Sequence, residues 1–398
     1  MITIEPSSKT TILFLSWRDI RSPKHGGAEV YTHEMMARAD HDRFRFIHIA
    51  PTFEGGADRE VIDGVEYLRM GTGGLSVIVE ARKFYKHNAS RIDFVVDQCN
   101  THRFFTKLWV PADKRIFFIH QLTREIWHLN AKPPISTVGA ITETPFLRLS
   151  KNDPTITVSP STRRDLLDVG FDPNKVVIVP EGLDFEAWDT SAFLPKEEHP
   201  TFVYVGRFVH YKGIDDSVLA FSRLREKHPE ARLWIVGRTN EDYLNEVLKP
   251  ILDRNHLTYG FEEGAGDVVF HGFVSDERKL ELMSRAHALL FPSQREGWGL
   301  IVTEAAVVGT PSIGYDSPGI VDALDEGRAG YLCETNTVGA LAREMNRVID
   351  DPEEYQAMRQ SAYDFARQFH WDKTAAAFND FMDRLDRGAR AGITGGTS

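Results

Sequence analysis

The chain has 398 residues, 42% hydrophobic and 26% charged, with a net charge of −11, a globular composition with room for about two domains of roughly 180 residues. Its two cysteines, Cys99 and Cys333, are too few and too far apart for a disulfide framework or a cysteine metal site, so a reducing cytoplasm is the expected setting. No apolar run approaches the roughly 18 residues of a spanning helix, and an acidic chain without a basic, aromatic-lined groove argues against nucleic acid as a partner.

Short apolar, β-branched runs alternate with amphipathic stretches of helical length, the pattern of βα units that build a parallel sheet. In the first half this predicts strands at residues 11–17, 44–50, 94–99, 115–120, 155–159 and 176–179, and a small hairpin around Asp63-Gly64. After the first strand, Gly26-Gly27-Ala28-Glu29 opens a helix. Paired glycines there are either a plain turn or a place where free N–H groups meet a phosphate or a sugar hydroxyl. Asp97, Gln98, Cys99 and Asn100, and the stretch from Gln121 to Trp127, are polar strand-end groups suited to selecting a ligand. Trp109 and Trp127 fit either sugar stacking or core packing. Up to Pro180 there are 24 Lys and Arg against 21 Asp and Glu, and beyond it 23 against 37. The weakly basic half groups Arg82, Lys83, Lys86 and Arg91, which suits either peripheral contact with an acidic membrane surface or an ordinary solvated helix face.

Residues 182–200 lose periodicity and mark the connection between two domains. The alternation then restarts, with strands predicted at 201–205, 232–236, 268–271, 288–291, 311–314 and 330–333, helices at 352–368 and 373–387, and a disordered tail after Arg387. Ligands of open parallel sheets bind at the carboxyl ends of the strands. At the end of the strand 201–205 stand Gly206-Arg207 and then Lys212-Gly213, a pair of cations suited to a diphosphate. After the strand 288–291 comes Ser293-Gln294-Arg295-Glu296-Gly297-Trp298-Gly299-Leu300, leading into a helix that carries Glu304. Were 296–304 fully helical, the two carboxylates would stand about 12 Å apart. That is too far to share a proton and comparable to the span of a nucleotide sugar, with helix-start amides between them.

With these residues in order, the chain resembles the retaining glycosyltransferases of the GT-B fold, family 4. Glu296 and Glu304, seven residues apart in a Phe-Pro-Ser and Glu-Gly-Trp-Gly context, match that family's paired acids, and Gly206-Arg207 with Lys212-Gly213 match its phosphate loop. The resemblance implies two doubly wound Rossmann-like α/β domains facing across a cleft: an acceptor domain at 1–181, a nucleotide-sugar domain at 182–370, and a C-terminal helix at 371–387 packing back on the first domain. It implies that Arg207 and Lys212 hold the donor diphosphate, Glu304 the ribose and Glu296 the transferred sugar. The backbone of Gly206, Gly297, Trp298, Gly299 and Leu300 would border phosphates and sugar, Phe273 and Val274 the base, and Gly26 and Gly27 the donor. His120 would lie near the reacting sugar, completing a catalytic set of His120, Glu296, Arg207 and Lys212. In Pro180-Glu181-Gly182-Leu183-Asp184 the chain departs from many relatives, which carry asparagine in the place of Glu181, so Glu181 is given no catalytic role.

The implied activity is hexosyl transfer from a UDP- or GDP-sugar to a hydroxyl acceptor (glycan, lipid-linked or small molecule), with retention, without a metal and without a further cofactor. The enzyme would be cytoplasmic or peripheral at the inner face of the membrane. The Asp-x-Asp pair at Asp40 and Asp42 precedes a strand rather than following one, the wrong end of a sheet for a ligand. Two other readings fit the same architecture: a catalytically silent nucleotide-sugar-binding protein, and a nucleotide-sugar epimerase.

Overall fold

The computed structural model describes residues 2–99, 102–130, 132–183 and 185–394; Asn100, Asp184 and residues 395–398 of the expected tail lie outside them. The chain divides into two compact units. The first comprises the residues up to Arg124, then Val138–Gly182, and the chain from Phe369 on; the second comprises Glu125–Thr137 and Leu183–Gln368.

The sheet of the first unit is built from β1 (Thr10–Leu15), β2 (Phe44–Ala50), β3 (Arg59–Ile62), β4 (Val65–Arg69), β5 (Phe94–Cys99), β6 (Arg115–Ile119), β7 (Thr155–Thr157) and β8 (Val176–Ile178). Its order is β3-β4-β2-β1-β5-β6-β7-β8, parallel except for the β3–β4 hairpin, where Ile62 faces Val65 across Asp63-Gly64. The strands are apolar on both sides because helices cover both faces. Phe14 and Phe46 lie on one face with Tyr31 from the helix Gly27–Ala37, whereas Leu13 and Ile47 lie on the other with Val77 from the helix Leu75–Asn88. The C-terminal helix Trp371–Thr394 belongs to the first unit: Phe378 packs on the rings of Phe14 and Phe46, with centroids 6.3 and 6.0 Å apart, and Thr374 donates to the Pro180 carbonyl at 2.8 Å.

The second unit has one seven-stranded, fully parallel sheet: β9 (Thr201–Val205), β10 (Arg232–Val236), β11 (Tyr259–Gly260), β12 (Val268–Gly272), β13 (Ala288–Phe291), β14 (Ser312–Gly314) and β15 (Tyr331–Leu332), in the order β11-β12-β10-β9-β13-β14-β15. In both sheets the chain builds outward on one side of the first strand and then resumes on its other side. The crevice at the strand ends therefore opens between β1 and β5 in one unit and between β9 and β13 in the other.

The structure corrects the sequence expectation in three places. The two-residue edge strand β11 was not expected, because a pairing of Tyr259 and Gly260 with Val268 and Val269 leaves no periodic trace. Residues 125–137 group with the second unit rather than the first: Glu125 accepts from Arg295 at 2.8 Å, and the helix Ile126–Asn130 packs on the turn His210–Lys212. Finally, the helix expected to stop at Arg387 continues to Thr394, since Ala and Arg favour helix strongly enough to carry the turn past Gly388 and Gly392.

Because Phe378 is fully buried among aromatic rings of the first unit, Phe378→Ala should destabilise that unit by about 3–5 kcal/mol. Urea unfolding followed by tryptophan fluorescence would measure it, and an unchanged midpoint would mean the helix is not part of the core.

Candidate functional site

The second unit gathers its polar groups where β9 and β13 end. Gly206 ends β9, and its neighbour Gly237 passes so close that a Cβ at 237 would lie 2.0 Å from the Gly206 carbonyl oxygen. The next turn, His210–Lys212, ends at Gly213, whose φ of +72° sits in the left-handed region; a Cβ there would lie 2.3 Å from the Pro292 carbonyl oxygen. The β9 loop and the β13 loop are thus pressed together at backbone distance. Gln294 N–H donates to the Tyr211 carbonyl at 2.9 Å, which fixes their register.

This contact delivers Lys212 to Glu296. The ammonium lies 2.5 Å from Glu296 Oε1, which also accepts from Ser293 Oγ at 2.7 Å, and both charged side chains are largely buried. Glu296 N–H donates to the Pro318 carbonyl at 3.0 Å, and Gly319 approaches so closely that a Cβ would meet the Glu296 carbonyl oxygen at 2.2 Å. Arg207 is exposed and bonds Tyr211 Oη. Burial, with the Glu296 charge added, holds the Tyr204 hydroxyl well above its ordinary pKa, so it stays a neutral donor to the Arg207 carbonyl at 3.0 Å.

Beyond Glu296 the chain turns through Gly299, at φ +103°, into the helix Leu300–Val307. Trp298 turns inward and donates to Thr303 Oγ1 at 3.1 Å, so it contributes backbone to the loop surface and its ring to the core. One helical turn on, Glu304 is buried and paired with Lys279 at 2.8 Å. Lys279 comes from the helix Asp276–Arg285 and also meets Asp276 at 2.9 Å; burial lowers its proton affinity, but Glu304 and Asp276 outweigh that and raise its pKa. Lys279 was not expected to belong to the site. A contact between two helices that follow different strands leaves no motif in the sequence. At the end of β12, Phe273 is 77% exposed with the Arg238 guanidinium 5.6 Å from its ring centre, and Val274 is half-buried beside it.

The first unit carries a second polar group, between β1 and β5. Gln98 donates to Thr32 Oγ1 at 2.8 Å, bonds Ser16 Oγ at 2.5 Å and stands 3.3 Å from His120 Nε2. His120 is buried, its Nδ1 is 3.8 Å from Glu181 Oε1, and the Tyr31 ring stands edge-on to it at 5.1 Å. Glu181, set aside in the sequence, is therefore the carboxylate beside His120. The Gly26 N–H expected to be free is taken by Glu29 Oε2 at 2.7 Å, and the other oxygen of Glu29 pairs with Arg18 Nε at 2.9 Å. A carboxylate of the helix itself thus occupies the positive end of that helix. Asp97 is likewise committed, accepting from Phe104 and Thr106 N–H, and Trp109 donates to the Phe104 carbonyl at 3.1 Å and packs on Tyr85. Asp40 and Asp42 form a turn before β2, with Asp42 N–H on Asp40 Oδ1 at 3.0 Å. Among the described residues no three metal-ligating side chains cluster.

Residues 187–365 match the family model of glycosyl transferases group 1, and residues 25–187 that of glycosyltransferase family 4. A glycogen synthase of Mycobacterium tuberculosis (strain ATCC 25618 / H37Rv) is 30% identical over 244 residues, 60% of this chain and 56% of that protein. A D-inositol 3-phosphate glycosyltransferase 2 of Catenulispora acidiphila is 28% identical over 236 residues, 56% of this chain and 53% of that protein. The match thus spans just over half the length of these relatives. Among solved structures, sucrose-phosphate synthase from Thermosynechococcus elongatus superposes with a TM-score of 0.74 at 18% identity, covering 96% of this chain and 100% of that one. Anabaena Alr3699/HepE in complex with UDP-glucose superposes with a TM-score of 0.67 at 17% identity, covering 95% and 99%. At such identities the likeness speaks for the shared two-domain GT-B fold.

Gly319→Ala should strain a left-handed position and force the Glu296 backbone away, at a cost of about 1–3 kcal/mol. A thermal unfolding midpoint equal to that of the parent would show that the loop contact is slack.

Proposed function

Because the chain belongs to glycosyltransferase family 4, we propose that it moves a sugar from a nucleotide-sugar donor, a UDP- or GDP-sugar, to a hydroxyl acceptor, with retention of anomeric configuration and without a divalent metal. The observation that carries this reading is the arrangement around the helix Leu300–Val307. A lysine-paired carboxylate stands before its N-terminus, a second stands one turn inside it, and a glycine loop lies between them at the sheet's switch point. Helix-start N–H groups and Arg207 suit a diphosphate in the middle. Glu304 then accepts from the ribose hydroxyls and Glu296 from a hydroxyl of the transferred sugar. Phe273 and Val274 border the base.

In the transfer step the bond between the anomeric carbon and the diphosphate oxygen breaks and the acceptor oxygen bonds that carbon on the same face. The acceptor proton passes to the departing diphosphate. Lys212 leaves its exclusive pairing with Glu296 to be shared with the phosphates, where charge develops and a fixed cation lowers the barrier most. With Arg207 and the helix N-terminus beside it, Lys212 supplies the field that a metal supplies in other nucleotide-sugar enzymes. His120, which we assign to the same reaction, orients the sugar. Release of nucleoside diphosphate that depends on an acceptor separates this reading from a silent binder and from an epimerase.

Glu304→Ala should raise the donor KM about tenfold or more with a smaller effect on kcat, because its contact is with the spectator ribose; Glu296→Gln should lower kcat chiefly. Lys279→Met should follow Glu304→Ala, and Lys279→Arg should recover most of the loss. Steady-state kinetics on the four variants test the assignment, which fails if the two glutamate variants behave alike.

Activity should survive exhaustive chelation, and NMR of the product should show the donor's anomeric configuration. Loss of activity restored by added Mg²⁺ or Mn²⁺ would overturn metal independence, and an inverted linkage would overturn retention.

A further inference from the structure

The second unit has a cavity of about 400 Å³ between residues 190–196 and the helix Pro352–Ala366. Phe193, Leu194 and Pro195 give it an apolar wall, the helix adds Gln356, Arg359 and Gln360, and none of the residues lining it is acidic. The segment is held firmly: a Cβ at Gly309 would lie 2.5 Å from the Phe193 ring, and Leu194 N–H donates to Ser284 Oγ at 3.1 Å. Lys196 and Arg359 both donate to the Gly309 carbonyl. That carbonyl lies just past the C-terminal end of the helix Leu300–Val307, whose opposite end borders the proposed donor site, about 12 Å away along the helix. The cavity is therefore preformed and separate from that site.

Its two cations differ in what they offer a ligand. Lys196 donates to the carbonyls of Ser284, Ala286 and Gly309 and to Thr310 Oγ1 at 2.9, 2.7, 3.1 and 2.6 Å. Four oxygens share its protons, so it lends the cavity a fixed charge but no free donor. Arg359 donates from Nε to the Gly309 carbonyl at 2.9 Å and from Nη1 to Gln356 Oε1 at 3.1 Å, and among the described residues its Nη2 bonds nothing. The nearby acids are committed elsewhere. Asp189 accepts from the Ser191 N–H and hydroxyl at 2.8 and 2.6 Å, Glu197 pairs with Arg285 at 2.8 Å, and Asp364 accepts from Gln360 at 2.9 Å. The missing counter-charge shows in the bases around the cavity: burial, with the Arg359 charge added, holds Lys196 well below its ordinary pKa, and burial with the Lys196 charge pushes His287 down to about 4. An anion beside Arg359 relieves both, and the oxygens of a phosphate match the fork of a guanidinium.

We propose that this cavity is a second anion site, which binds a phosphate group on the Arg359 guanidinium with Lys196 as a fixed charge behind it and the Gln356 amide as a further donor. The apolar wall suits the organic body of a phosphate monoester. The inference needs neither nucleotide-sugar binding nor transfer, so its failure and that of the proposed reaction are distinguishable.

Isothermal titration of the full chain at low ionic strength, without donor or acceptor, tests it with inorganic phosphate and with phenyl phosphate. Tighter binding of phenyl phosphate supports a monoester whose body lies on the apolar wall, whereas equal or weaker binding supports free phosphate as the ligand. Gln356→Glu keeps the side-chain length and sets a carboxylate on Arg359, so it should weaken anion binding at least about tenfold while keeping or raising the thermal midpoint. Arg359→Gln should lose binding as well. Lys212→Ala, which removes the cation proposed for the donor diphosphate, should leave it intact. The proposal is overturned if neither anion binds at millimolar concentration, if binding survives either Gln356→Glu or Arg359→Gln, or if Lys212→Ala abolishes it.

Discussion

The second unit is organised around the ion pair of Lys212 and Glu296, at 2.5 Å. The two residues lie 84 positions apart in sequence and meet only because β9 and β13 are neighbours in the sheet and because Gly213 lets one loop press on the carbonyl of Pro292 at the end of the other. Any side chain at 213 would separate the loops and leave a carboxylate and an ammonium largely buried without each other, a loss of about 3–5 kcal/mol for a broken buried pair. The glycines in this region are therefore electrostatic as much as conformational: they set the distance at which two charges compensate.

Most of the fold was legible in the sequence because its strands are buried on both faces. Runs such as Phe44–Ala50, Phe94–Cys99, Thr201–Val205 and Arg232–Val236 stand out as β-branched and aromatic blocks bounded by breakers, and their ends are where the structure has them. The loop from Ser293 to Leu300 was legible for a similar reason, since a strand end, two glycines and a helix start coincide there. What could not be read is what depends on long-range contact alone. Nothing local says that Glu125 will pair with Arg295, that Lys279 will reach Glu304, or that Tyr259 and Gly260 will add an edge strand. The N–H of Gly26 looked free because an N-terminal glycine pair usually is; the carboxylate that claims it, Glu29, sits in the same motif and could have been read as a capping residue.

The charge distribution has a physical consequence for recognition. The second half of the chain carries 37 acids against 23 bases, yet the proposed ligand is an anion. A strongly acidic unit cannot attract such a ligand through its overall field, so attraction has to come from short-range groups: the Arg207 fork, the Lys212 ammonium and the amides at the start of Leu300–Val307. At the opposite ends of the strands, salt bridges such as Arg285 with Glu197 and Glu263, and Arg225 with Asp267, hold other cations on acids of their own.

Both proposed donor carboxylates stand paired with a lysine, Glu296 with Lys212 and Glu304 with Lys279, but the two pairs are built differently. Lys279 has a second acid, Asp276, and lies over the Phe185 ring at 5.4 Å, so several contacts hold it in place. Lys212 sits at the end of a three-residue turn and has the Tyr211 ring at 5.3 Å as its other neighbour. A ligand carrying phosphates can draw Lys212 toward itself at the cost of loosening one ion pair, whereas moving Lys279 would break two. In the proposed reaction the arrangement would divide the labour: Lys279 would keep Glu304 in place as a static acceptor for hydroxyls, and Lys212 would be the cation that changes partners as charge moves onto a leaving diphosphate. A carboxylate that gives up part of its cation at that moment becomes a stronger hydrogen-bond acceptor, so the shift of Lys212 would tighten the hold of Glu296 on the sugar while the bond to the diphosphate breaks.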